Sequence, residues 1–161
     1  MFKILFFGVF LGLATGVFAD DSGSFDMMTI WKQDYHSMNW PEQHFTIGTL
    51  EGTSTIMESS GDPFPVGVHH LSTCLVYAKR AEGRYKLEAH CTLLDESNDA
   101  FHIRAIRDTG DTESGGGGPG RWEFMGGTGK YSGIVGGCDY VVKYLDDERT
   151  VNKASDCKWH K

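Results

Sequence analysis

The sequence predicts an all-β protein: a single antiparallel β-barrel of about eight strands, stapled by disulfides and carrying Gly-rich loops. Three observations lead there. Strand-like runs recur every eight to fifteen residues from His44 onward, with no convincing amphipathic helix between them. Four cysteines are placed as two pairs on adjacent runs. The 21 glycines are concentrated, twelve of them between Gly110 and Gly137, where they punctuate strands.

The chain has 161 residues, a length that suits one domain. Its formal charge of −7 argues against a nucleic-acid partner or a basic membrane-surface patch. With 40% hydrophobic and 12% aromatic residues it is too apolar for disorder.

Residues 1–19, MFKILFFGVFLGLATGVFA, read as a secretory signal peptide: Lys3, an apolar stretch, then small residues before Asp20-Asp21. The apolar stretch is too short to span a bilayer comfortably, and no later run approaches the roughly 20 apolar residues of a spanning helix. The expected product is secreted or periplasmic, with no stable membrane insertion after cleavage. Cleavage leaves residues 20–161 as the single barrel domain.

Taken in order, Asp20–Gln43 is the least periodic segment, with Met27, Met28, Ile30, Trp31, Tyr35, Met38 and Trp40 scattered along it. It reads as a first strand plus a covering loop that finishes the core or lines a ligand mouth. The following runs are 44–50, 52–58, 69–79, 85–94, 100–108, 120–125, 136–145 and 149–159. Turn residues separate them: Gly52, the Ser59–Pro63 stretch, Glu82-Gly83, Asp95–Asp99, Gly115–Gly120 and Asp146–Glu148. The 115–120 run, GGGGPG, reads as a mobile loop because it has nothing to pack. Eight strands are enough to close a small barrel and remove its edges.

Pairing arithmetic assigns the cysteines. Across a turn centred on Glu82-Gly83, opposed residues have numbers that sum to 165, as those of Cys74 and Cys91 do. Across a turn centred on Asp147-Glu148 the sum is 295, which Cys138 and Cys157 meet. Directly opposed residues are the hairpin geometry within disulfide reach. The expected bridges are Cys74–Cys91 and Cys138–Cys157, each worth ~3 kcal/mol in the chain-entropy model. A zinc or thiol site is disfavoured: there is no C-x-x-C and no His at ligand spacing from a Cys. His69-His70, His36 and His44 also lack metal-ligand spacing, so no metal and no cofactor is expected.

The segment GGTGKYSGIVGG at 126–137 superficially suggests a phosphate loop. A Walker loop would need Gly where Phe124 stands and Ser or Thr where Tyr131 stands. A tight turn between strands is the better reading. The stretch Trp122–Ile134, with its GGTGKYxGIxG pattern, resembles a signature of uncharacterised secreted bacterial proteins that look like members of the allene oxide cyclase and dirigent-like β-barrel superfamily. The resemblance spans about Gly48–Trp159, and only the glycine signature is specific. It implies a barrel that binds a small hydrophobic substrate and guides cyclisation or coupling mainly by shape. No catalytic residue of those relatives matches a position here. The acidic turn Asp95-Glu-Ser-Asn-Asp99 also departs from the usual Asp-x-Asp-Gly-Asp pattern, having Ser97 and Asn98 in its middle, which weakens a calcium-like role.

The same arithmetic sorts strand faces. Cys74, Val76, Ala78, Leu87, Ala89, Cys91 and Leu93 share one apolar face, joined by Phe101, Ile103 and Ala105 if the 95–99 turn pairs residues summing to 194. This face is the expected core. The other face carries Leu75, Tyr77, Glu88, His90, Thr92, His102 and Arg104. Tyr77, Glu88, His90, His102 and Arg104 form a candidate ligand-binding patch. Within it Glu88, His90 and Arg104 are candidates for acid, base and carboxylate anchor. The plainer reading is a solvated outer face of cross-strand polar pairs. No G-x-S-x-G, H-E-x-x-H or Cys-nucleophile context occurs.

Function then falls to three expectations. The first is an exported small barrel binding a small hydrophobic or aromatic ligand. The second is a cofactor-free cyclase or isomerase of the allene oxide cyclase type. The third is a structural or interaction protein with a filled barrel. The partners expected are a small apolar molecule and no nucleic acid, with a homo-oligomer left open.

Overall fold

A computed structural model describes residues 21–161, so the signal-peptide reading of residues 1–19 lies outside the described residues. The described chain is a closed barrel in which each strand pairs with its sequence neighbour and the last pairs with the first. The strands are β1 (Ser22–Trp40), β2 (Gln43–Ser59), β3 (His69–Ala81), β4 (Arg84–Leu94), β5 (Ala100–Arg107), β6 (Gly117–Gly127), β7 (Val135–Tyr144) and β8 (Arg149–His160), all antiparallel. One 3-10 turn, Gly129–Tyr131, is the exception to the β structure.

The number of strands matches the expectation, but two of its parts differ. The aperiodic N-terminal segment is a single strand of 19 residues, and the 44–50 and 52–58 runs are one strand, β2. Gly52 is no turn: it pairs with Trp31 on β1 and Ser72 on β3. A Cβ at Gly52 would clash with the Ile30 carbonyl oxygen, so the glycine lets β1 approach closely. At Gly48, which pairs with Tyr35, a Cβ would stand 2.7 Å from the Tyr35 ring. Small residues set against large ones fill the taper of a narrow barrel. The same logic corrects the 115–120 loop. Gly117–Gly120 belongs to β6 and pairs with β7, and a Cβ at Gly120 would meet the Tyr140 ring at 2.5 Å.

Both expected disulfides are present. Cys74 lies directly opposite Cys91 in the β3–β4 ladder. Near the β7–β8 turn the opposed numbers sum to 294, as for Tyr144 and Thr150. A register shift at Gly137/Asp139 restores 295 at Val135–Gly137 and brings Cys138 to Cys157.

The interior divides into two ends. At the end holding the β2–β3, β4–β5 and β6–β7 connections, Phe64 drops from its loop into a cluster of rings. It stacks on Phe25 (centroids 4.2 Å) and meets Phe101 (5.0 Å), Tyr131 (5.3 Å) and Trp159 (6.0 Å). Aromatic packing of this density closes that end. There the glycine signature has its architectural use. The 129–131 turn docks on the acidic 95–99 turn: Lys130 Nζ lies 2.6 Å from Asp95, and the Lys130 N–H donates to Asp99. Asp95 also accepts the backbone N–H groups of Ser97 (2.8 Å) and Asp99 (3.0 Å).

Candidate functional site: the barrel interior

The apolar face assigned by arithmetic lines the interior. Val76 and Ala78 of β3, Leu87 and Ala89 of β4, and Ile103 and Ala105 of β5 are all buried, with Ala89 opposite Ala105. These small side chains leave a cavity between Trp31 on one wall and Trp122 on another. The cavity has a volume of about 30 Å³. That is room for about two waters.

Toward the other end of the barrel the lining turns polar. Tyr35, Arg107, Tyr140, Tyr144, Thr150 and Asn152 all border the cavity. Arg107, the last residue of β5, is 1% exposed. Its Nη2 donates to the Tyr85 hydroxyl (3.0 Å), the Asp111 carbonyl (2.7 Å) and the Tyr144 hydroxyl (3.3 Å). The guanidinium also lies over the Tyr85 and Tyr144 rings, 5.3 and 5.5 Å from their centroids. Its Nε and Nη1 have no hydrogen-bond partner. Among the described residues no carboxylate oxygen lies within 4.0 Å of it, although a buried charge is ordinarily paired. The Tyr35 hydroxyl, Trp31 Nε1, Thr150 Oγ1 and Asn152 Oδ1 are likewise buried without partners. Burial pushes the phenols of Tyr35 and Tyr140 up, and that of Tyr85 to about 12, so all three are neutral donors at neutral pH.

On the plugged side of the cavity the buried hydroxyls are bonded, while His70 Nδ1 and Trp159 Nε1 are not. Thr29, Ser54 and Ser72 form a buried hydroxyl chain across β1, β2 and β3, with links of 2.8 and 2.7 Å. His70, unlike the exposed His69 beside it, is 1% exposed, and its Nε2 lies 2.9 Å from the Tyr131 hydroxyl, which donates to Asp95 Oδ2 (3.3 Å). Burial foremost, with Lys130 and His69 adding to it and Asp95 opposing, pulls the His70 pKa down to about 4.

The candidates on the other strand face lie outside the barrel. Glu88 accepts from Arg104 Nε (2.8 Å) and pairs with His90 (2.9 Å); Arg104 reaches Glu123 as well (3.1 Å). Hydrogen bonds from Arg104, then His90, hold the Glu88 carboxyl down near 2. Tyr77 stands across from Glu88 and is 48% exposed, and His102 bonds Thr92 at 3.1 Å. The structure therefore brings Glu88, His90 and Arg104 together as a solvated cross-strand network, and none of the five candidates lines the cavity. Arg107 and the tyrosines were passed over, yet one signal was readable. The register that puts Phe101, Ile103 and Ala105 inward carries on, two residues later, to Arg107 opposite Leu87.

Among the described residues no group of three or more His, Cys, Asp or Glu is arranged to hold a metal ion. Comparison with family models, curated proteins and solved structures returns no match. The allene oxide cyclase and dirigent resemblance thus rests on the residues of the 122–134 segment alone.

Proposed function

We propose that this chain is an exported barrel that takes a small apolar or aromatic molecule into its interior. The supporting observation is the cavity itself: an apolar sleeve around Val76, Ala89 and Ala105 that ends on buried polar groups without partners. Small-molecule sites commonly combine such a wall with a few convergent polar groups. Its volume of about 30 Å³ argues against a long acyl chain. Export is supported by the leader-like sequence of residues 1–19 and by two disulfides, which persist in oxidising compartments.

The test is a calorimetric titration of the oxidised chain with benzyl alcohol, a neutral single-ring probe. The expected result is saturable one-to-one binding that disappears in Ala89→Leu, whose added methylenes occupy the space. Absence of saturable binding, or binding that Ala89→Leu leaves intact, overturns the interior-site reading and favours a filled structural barrel.

A further inference from the structure

We propose that the interior site is built for an organic anion, with Arg107 holding a carboxylate head group while the ring of the ligand lies against the apolar sleeve. The proposal rests on the interior-binding reading and adds the charge of the ligand to it.

Three observations carry it. The guanidinium borders the cavity, is almost wholly buried, and has Nε and Nη1 unbonded. The partners it does have are neutral oxygens, two phenols and one carbonyl, which orient a cation without neutralising it. A buried charge left in this state calls for a counter-charge, and the chain supplies none within 4.0 Å among the described residues. The Tyr35 hydroxyl, also unpartnered, offers a further donor on the same cavity. A planar guanidinium suits a carboxylate better than any other cationic side chain does.

The fold also provides an approach to Arg107. Pairing of β5 with β6 ends at Ile106 and Arg121, beyond which Gly117–Gly120 pairs with β7 alone. Along this seam runs an open cleft of about 750 Å³ that shares Arg107 and Tyr140 with the interior cavity. Arg121 and Lys153 flank the cleft beside Asp108 and Asp139, so its rim is balanced in charge and the attraction for an anion comes from Arg107 itself.

The experiment compares benzoate with benzyl alcohol at pH 7 on the intact, oxidised chain, by calorimetry and by the Arg107 Nε–H resonance. A charge-assisted contact predicts benzoate about 10- to 100-fold tighter, with a downfield shift of that resonance. Arg107→Gln is expected to abolish the preference and Arg107→Lys to keep part of it. Equal affinities in the native chain overturn the anion proposal and leave the interior site standing; this comparison needs no variant to fold. A benzoate preference that survives Arg107→Gln, or that leaves the resonance unmoved, also overturns it. If neither probe binds, the interior site falls and the anion proposal with it.

Discussion

Acidification from pH 7.5 to 4.5 should destabilise the fold through one histidine, and His70→Gln isolates it. In the native barrel Tyr131 donates to Asp95, so its oxygen accepts from His70 Nε2–H and the neutral tautomer is fixed. A second proton would have to sit on Nδ1, which is buried and has no partner. The folded pKa of about 4 lies below the ordinary 6.5 of the unfolded chain. Above pH 6.5 neither state is protonated and the group contributes its full stability. As pH falls from 6.5 toward 4, the unfolded chain takes up a proton that the folded chain refuses, and that stability is lost. At pH 4.5 the loss from this shift is about 2–3 kcal/mol. The assay is urea unfolding at pH 7.5, 6.0 and 4.5, followed by tryptophan fluorescence. The native chain should lose about 2–3 kcal/mol more than His70→Gln over that interval. Equal losses would refute the reasoning, because they would mean that His70 titrates alike in both states.

Further outcomes follow from other parts of the barrel. Replacing Cys74 and Cys91 together by Ala, or Cys138 and Cys157 together, should cost about 3 kcal/mol per bridge in denaturant unfolding, since each closes a short loop, with separations of 17 and 19 residues. Phe64→Ala removes the ring that closes the plugged end and should cost about 3–5 kcal/mol, read as a lowered melting temperature, while benzyl alcohol binding at the far side of the interior persists. Glu88→Ala and Arg104→Ala break only the outer network and should leave benzyl alcohol affinity unchanged; a loss of binding in either would return the site to the outer face.

What the sequence made legible, and what it did not, follows the same physics. Alternation on β3, β4 and β5 is clean, so their faces, their registers and the Cys74–Cys91 bridge could be read directly. On β1 the inward set of Phe25, Met27, Thr29, Trp31, Gln33 and Tyr35 was hidden. Exposed Met28 and Ile30 blur the alternation on one side, and the polar Thr29 and Gln33 point inward on the other. Glycine misled twice, at Gly52 and at Gly117–Gly120. A strand that closely approaches a neighbouring backbone, as at Gly52 and Gly117, or a ring, as at Gly120 beside Tyr140, gives up its own side chain, and in the sequence that looks like a turn. The site was missed for a related reason. Polar residues on a strand suggest water, whereas this barrel turns Arg107, Tyr140, Tyr144 and Asn152 inward and exposes Leu71 and Leu75. A charged residue that continues the parity of an apolar face, as Arg107 does, was the available sign.

The most direct test of the interior site is a search for intermolecular nuclear Overhauser effects between the ring protons of benzyl alcohol and the methyl groups of the oxidised chain. Cross-peaks to Val76, Ala89 and Ala105, which border the cavity, are the predicted result. Cross-peaks confined to Ile47, Leu71 and Leu75 on the outer face, or none at saturation, would contradict it.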